Sequence, residues 1–567
     1  MFNFLKCSSD GEIVETPCGR IKGILSKSRD GRDFFEWRGI PFGKAPIGPL
    51  RFASPVPFGK WEGIRDGSRF GGKCPQIGEF GLDLGDEDCL NLNVSIPKVN
   101  RSQLLPVMVF IHGGAFQSGT GSMFQPDYFM DEDIVYVNPN YRLGVFGFLN
   151  TGDTAIRGNM GLKDQALALR WVKDNIQAFG GDPNNITIFG QSSGGASVHY
   201  LTLSPSTEGL FNKAILQGGV ASLHWAYSSI KDAVKNTKDY AKRFQCDTED
   251  SVALVECLRS KTVVELLDEY KNHMGPGVTN RPDLEIHVFP PSIEAVNDEE
   301  AFLVEHPLQI MTEGRGHRVP MLIGSNADDG LLFSMAMYNS DEILENYEKN
   351  WNNCILWTFG IPEDTPNAKG LAAKIKGIYF PQNKTYFTKE QKLEQFTKIF
   401  SDANFLLHLS HCMSVQSQFS PIYPYYFSRR GGPSFSVVLN LLTSKGSLPV
   451  KIVKHVAAII YNKITGNKPR DYGVCHGDDI AMLFKISNIF SVPRVPQSAD
   501  YNFSNDMVKL WADFAMDSTS MAFRGVTFSK QEPGKPLQYL ELCEDPKMID
   551  GPFQERVNAL KSLGLIE

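Results

Sequence analysis

The chain is short of several things, and each shortage removes a class of protein. No apolar run in its 567 residues approaches the roughly 18 that a membrane-spanning helix needs, so no helical span is expected. There is no basic excess: 57 Lys and Arg stand against 64 Asp and Glu, a formal net charge of −7, which speaks against a nucleic-acid partner. Internal repeats, low-complexity linkers and long single-sign charge runs are missing, which leaves solenoids and disordered tails without support. The opening Met1–Cys7 is too short and too soon polar to be a signal peptide. A cytoplasmic location is therefore expected, or a secreted one if the chain is a processed form.

What is present fits a large globular domain. Hydrophobic residues make up 42% of the chain, and 38 of them are Phe, enough to fill a substantial core. Strand and helix signals alternate along the sequence, the pattern of an α/β protein with a mostly parallel sheet. Leu104–Ile111 is a continuous apolar run, as in a strand buried on both faces, and Ile134–Val137 is another. Leu162, Ala166, Leu169, Val172, Ile176 and Phe179 recur at helical steps and predict a helix. Val319–Gly324 and the tyrosine-rich Pro421–Phe427 read as later strands. Asn272–Pro282 and Arg429–Pro449, rich in Gly, Pro and Ser, read as surface loops near a pocket rim.

The most informative stretch is Phe179–Gly195, FGGDPNNITIFGQSSGG. A β-branched run, Ile186–Phe189, leads into Gly190-Gln191-Ser192-Ser193-Gly194, and a small-residue helix start follows. This predicts a strand, a sharp turn and a helix with Ser192 exposed at the apex, the two glycines allowing close approach. G-x-S-x-G alone is a weak signal; its strand and its downstream partners give it weight. Acyl transfer requires a nucleophile, a base, a group to orient the base and donors for the oxyanion. Downstream, in the order acid then His, stand Asp329 in Gly324–Gly330 and His476 in Gly473–Asp479. Asp328, one position early, is the alternative acid.

These motifs, with Phe35–Phe42 (FEWRGIPF), Pro49–Phe52 (PLRF) and Glu87–Val94 (EDCLNLNV), resemble the type-B carboxylesterases, the cholinesterase-like branch of the α/β-hydrolases. The likeness runs from about Gly19 to about Pro546 and includes insect carboxylesterases. It implies an α/β-hydrolase fold with one catalytic domain over residues 11–567, behind a tail at 1–10. It also implies Ser192 as nucleophile, His476 as base and Asp329 as orienting acid, with no metal and no cofactor. The family usually carries Glu in the acid position; Asp329 is shorter by one bond, roughly 1.5 Å. The oxyanion donors would be the N–H groups of Gly114, Ala115 and Ser193. Ala115 stands where the family has a third glycine, and Ser193 where Ala is commoner; both keep their amides. Trp225 falls where relatives shape the acyl pocket, or else packs in the core. Cys74–Cys89 and Cys246–Cys257 match two disulfides of secreted relatives. Arg51–Glu87 and Arg142–Asp164 match buried ion pairs. Sequons stand at Asn93, Asn100, Asn185, Asn383 and Asn502, of which Asn93 and Asn185 adjoin predicted strands and are discounted.

The resemblance also bears on substrate. Gln191 replaces a cholinesterase Glu, and the Cys74–Cys89 loop contains no Trp to stack on choline. An uncharged, lipophilic carboxylic ester is expected as the small-molecule partner, with organophosphates and carbamates as inhibitors. The alternative within this chemistry is a juvenile-hormone-esterase-like enzyme, although that group usually reads GQSAG and carries a leader. A catalytically inactive binding or adhesion homologue is a third reading; such members usually lose the serine or the histidine, and both are present here.

Overall fold

The computed structural model describes residues 11–77, 85–99, 103–274, 281–283, 289–362, 364–381, 387–446, 451, 470–487 and 489–566. The tail at 1–10 and the sequons at Asn100 and Asn383 lie outside these. Eleven strands form the main sheet: β1 (Ile24–Lys27), β2 (Asp33–Pro41), β3 (Asn91–Pro97), β4 (Leu105–Ile111), β5 (Val135–Pro139) and β6 (Gly181–Gln191). They are followed by β7 (Lys213–Gln217), β8 (Met321–Asn326), β9 (Ile422–Phe427), β10 (Gln538–Leu542) and β11 (Lys547–Asp550). Their spatial order is β11-β10-β9-β8-β7-β6-β4-β5-β3-β2-β1. From β10 across to β5 every pairing is parallel, and antiparallel pairings close both flanks.

The apolar runs become central strands because both faces of the sheet are covered. Along β4, Val107, Val109 and Ile111 enter one core cluster, while Met108 and Phe110 enter the cluster on the opposite face. The same alternation divides Ala214 and Leu216 from Ile215 in β7, and Met321 and Ile323 from Leu322 in β8. The expected helix forms as Met160–Asn175 with a 3-10 turn, Ile176–Phe179, and all six of its periodic apolar residues join the first cluster.

Two loop expectations need correction. Residues 272–274 are the end of the helix Val263–Met274, while 275–280 lie outside the described residues. Within 429–449, Phe435–Thr443 is a helix, capped by Ser434 Oγ accepting from the Ser436 N–H. Its Gly and Pro flank the helix without entering it: Gly431, Gly432 and Pro433 precede the cap, and Gly446 and Pro449 follow Thr443 in sequence.

The expected ion pairs are present. Arg142 makes two side-chain bonds of 2.8 Å to Asp164, both residues almost wholly buried, and Arg51 grips Glu87 with two bonds of 2.6 Å. Both expected disulfides, Cys74–Cys89 and Cys246–Cys257, are formed. Among the described residues no helix is long and apolar enough to cross a membrane.

Candidate active site

The parallel strands end along one edge, and the sequence-predicted residues gather there. β6 stops at Gln191, and Ser192 adopts φ 60°, ψ −127° before the helix Ser193–Leu203 begins. A side-chain-bearing residue in that conformation costs on the order of 1–3 kcal/mol, so its surroundings must impose it. The Ser192 N–H donates to Gln217 O at 2.8 Å, its carbonyl accepts from Ala196 N at 3.0 Å, and the following helix is buried throughout. A Cβ on Gly190 would lie 2.5 Å from the Gly194 carbonyl carbon, and one on Gly194 would lie 2.1 Å from Ile111 O. Only glycine allows the elbow to sit this tightly against β4.

The loop after β4 reaches the same place. Gly114, Ala115 and Phe116 have φ of 117°, 55° and 62°, an unusual run that turns successive amides. A Cβ on Gly114 would come within 2.0 Å of Ser118 O, and one on Gly113 within 3.1 Å of Ser192 Cβ. Among the described residues, the N–H groups of Gly114, Ala115 and Ser193 meet no acceptor. The loop is held by Tyr141, whose hydroxyl donates to His112 O at 2.8 Å and whose ring stacks on His112 at 4.4 Å. Burial pushes the His112 imidazole down to about 4, so it is neutral at pH 7.

Asp329 and His476 come from two further loops. The His476 Nδ1–H donates to Asp329 Oδ1 at 2.9 Å, and Asp329 Oδ2 accepts the Asn326 N–H at 3.1 Å. Burial pushes the Asp329 carboxyl up, and the His476 contact opposes it. Asp328 faces elsewhere: its Oδ2 accepts from Val474 N at 2.9 Å and lies 3.7 Å from Arg430. The imidazole is close to the serine's own segment. Its Nε2 accepts from Gln191 Nε2 at 3.0 Å, and a Cβ on Gly218 would touch its Cε1 at 3.0 Å. The next residue, Gly219, packs against the Ser192 carbonyl.

Several supports of this site carry no mark in the sequence. Phe405, on a π-helical turn Asp402–Leu406, lies over His476 with ring centroids 4.5 Å apart. A single π turn breaks helical periodicity, so no pattern foretells where its side chains go. Trp225 donates its Nε1–H to Asn404 O on that turn at 2.9 Å, and its ring lies 6.3 Å from Phe405 and 6.5 Å from Phe116. Asp479 anchors the His476 loop from beneath, accepting from Gln217 Nε2 at 2.8 Å and from the Tyr425 hydroxyl at 3.0 Å. Asp478 joins that loop to the helix Phe435–Thr443, accepting from Cys475 N, Phe435 N and Ser434 Oγ at 2.7–2.8 Å. The H-x-x-[DE] pattern could have pointed to Asp479; nothing pointed to Asp478 or Phe405.

A serine elbow at the carboxyl edge of a mostly parallel sheet, with helices on both faces, defines the α/β-hydrolase class. The sequence profile of the Carboxylesterase family matches residues 10–560, and the chain belongs to that family. It is 33% identical over 518 residues to venom carboxylesterase-6 of Apis mellifera, an alignment covering 89% of this chain and 85% of the relative. Esterase E4 of Myzus persicae is 34% identical over 526 residues, 90% of this chain and 87% of the relative. Juvenile hormone esterase of Tribolium castaneum is 33% identical over 522 residues, 89% of this chain and 83% of the relative.

Proposed function

We propose that this chain is a serine carboxylesterase of uncharged, lipophilic esters, with residues 11–567 acting as one catalytic unit. The observation that carries it is the Asp329–His476 pair, 2.9 Å long and buried, one residue's reach from the strained Ser192 elbow. Asp329 holds the Nδ1–H tautomer, leaving Nε2 as the base. The Ser192 hydroxyl gives its proton to Nε2 as Oγ bonds to the ester carbonyl carbon. The carbonyl oxygen, now an oxyanion, takes the amides of Gly114, Ala115 and Ser193; each lost donor would cost about 2.7–4 kcal/mol. His476 then protonates the departing alkoxide, and water, activated by the same base, releases the acid from Ser192.

The wall of Phe116, Trp225, Phe333 and Phe405 beside His476 supports an apolar acyl pocket in which Trp225 is one side. An amide at Gln191 in place of a carboxylate removes an attraction for cationic substrates. Presence of both Ser192 and His476 argues against an inactive binding homologue. Organophosphates and carbamates would acylate the same serine. The two disulfides weigh toward an oxidising compartment, the second of the locations left open by the sequence.

A fluorophosphonate tests the reading: Oγ attacks phosphorus, the P–O bond forms, fluoride leaves and the proton passes to His476. One label at Ser192, absent in Ser192→Ala together with ester turnover, is expected; a label that persists in Ser192→Ala overturns the assignment. The similarity to a juvenile hormone esterase favours a second reading, hydrolysis of a conjugated sesquiterpenoid methyl ester. Comparing that ester with a short aryl ester separates the two by kcat/KM.

A further inference from the structure

Gln191, the residue before the nucleophile, is bonded to the base that the nucleophile needs. With Nδ1 committed as donor to Asp329, the neutral His476 ring has one acceptor site, the in-plane lone pair on Nε2. That site faces the side-chain amide of Gln191 at 3.0 Å. Only the N–H of that amide satisfies a lone pair, so the tautomer set by Asp329 also sets the amide's orientation. The Gln191 oxygen points the other way, within 3.2 Å of where a Cβ on Gly113 would be, on the oxyanion loop. Both Gln191 and His476 are more than nine-tenths buried, so water competes poorly for either group. Meanwhile neither ring nitrogen of His476 is bonded to the Ser192 hydroxyl: Nδ1 pairs with Asp329 and Nε2 with Gln191.

One lone pair cannot accept from Gln191 and from Ser192 at full strength together. We propose that Gln191 is a positioning residue that caps the general base in the resting enzyme, so that the amide must be displaced before Ser192 can give up its proton. The inference rests on the serine-esterase reading and adds a brake to it. The cap holds Nε2 in place beside the elbow, with Phe405 on the ring face and Asp329 on the far edge. It also slows acylation by the strength of one neutral hydrogen bond.

Two substitutions separate a cap from a packing group. Gln191→Met keeps the length and has no donor, so Nε2 is released to Ser192. Gln191→Glu keeps the shape but offers only acceptors, which hold the protonated ring and remove its lone pair from use. In purified full-length protein at pH 7.5, the second-order rate of fluorophosphonate labelling should rise about fivefold in Gln191→Met, from loss of a bond worth ~1 kcal/mol, and fall in Gln191→Glu. With a short aryl ester limited by acylation, kcat should follow labelling while KM stays unchanged in Gln191→Met. A loss of labelling in both variants, or no change in Gln191→Met, overturns the cap. Unfolding midpoints close to the parent's confirm that the comparison is between folded proteins; a large drop in both counts for packing and against the cap. Failure of the underlying reading shows differently, as labelling that survives Ser192→Ala.

Discussion

Asp328 and Val474 are joined by a reciprocal pair of hydrogen bonds: the Asp328 N–H donates to Val474 O, and the Val474 N–H donates to Asp328 Oδ2, each at 2.9 Å. Asn326 Nδ2 adds a third link to the same loop at Cys475 O, 2.7 Å. These bonds draw the His476 loop onto the turn after β8, which offers a physical account of how an acid one bond shorter than Glu meets the imidazole. The two aspartates then differ in role. Asp329→Asn should cut kcat by about 10³–10⁴-fold, because a neutral amide neither fixes the tautomer nor stabilises the imidazolium. Asp328→Asn keeps an acceptor for the Val474 amide and should stay within about tenfold of the parent. Steady-state kinetics on the pair decide it; the reverse ranking moves the acid to Asp328.

Arg142 and Asp164 support fold and not chemistry. Both are almost fully buried and bonded through two side-chain contacts, and Arg142 Nη1 also donates to Ala53 O at 2.7 Å. Removing one partner strands the other's charge, so Asp164→Ala should lower unfolding free energy by about 3–5 kcal/mol. Ser192→Ala keeps the Cβ, and with it the elbow's backbone strain, and should leave stability within about 1 kcal/mol of the parent. Denaturant melts separate the two: Asp164→Ala shifts the midpoint, and Ser192→Ala abolishes turnover without lowering it.

The contrast between those residues follows what the sequence could show. Buried parallel strands announce themselves as apolar runs, so β4, β5, β8 and β9 were legible to within two residues, and the elbow was legible because its glycines are forced by backbone contacts. Phe405 was not: it reaches His476 from 71 positions away by way of a π turn, and neither periodicity nor motif spacing encodes that geometry. The helix Phe435–Thr443 was hidden because flanking Gly, Pro and Ser dominated the composition of its window, while its single Ser434 cap did the local work. Gln191 was read for the charge it lacks, whereas its contact with His476 depends on a tautomer that only the assembled site defines.

On the proposed reading Trp225 is one side of the acyl pocket and limits acyl-chain length. Its indole N–H is tied to Asn404 O, which fixes the ring against Phe405 and Phe116. Trp225→Leu should open space beside the reacting carbonyl, so kcat/KM for a hexanoate aryl ester should rise about tenfold relative to the acetate. It should also cost about 2–4 kcal/mol of stability from lost packing and the unpaired carbonyl. An acyl series measured on both proteins tests it. An unchanged chain-length profile with reduced stability would return Trp225 to the core, the other role its position allows.

Acid should destabilise this protein well above the range in which carboxylates ordinarily titrate. Burial pushes His112, His224 and His411 down to about 4 and His199 and His408 to about 3, so these imidazoles are neutral in the folded chain. In the unfolded chain each returns to about 6.5. Below that pH the unfolded state binds up to five protons that the native state refuses, and stability falls as pH falls. Carboxyls oppose this: burial lifts Asp478 to about 8, so the native state holds a proton there that the unfolded state does not, and burial also raises Asp131, Glu132, Asp328, Asp329 and Asp402. Five strongly depressed imidazoles stand against one strongly raised carboxyl, Asp478, and burial lowers His306 and His317 as well. Each net proton is worth about 1.4 kcal/mol per pH unit, so unfolding free energy should decline continuously from about pH 6.5 toward pH 4, most of the loss coming before unfolded carboxylates begin to protonate. Denaturant melts at intervals of half a pH unit measure the slope. A flat profile between pH 6.5 and 5 would mean that these histidines titrate in the folded protein much as they do in the open chain.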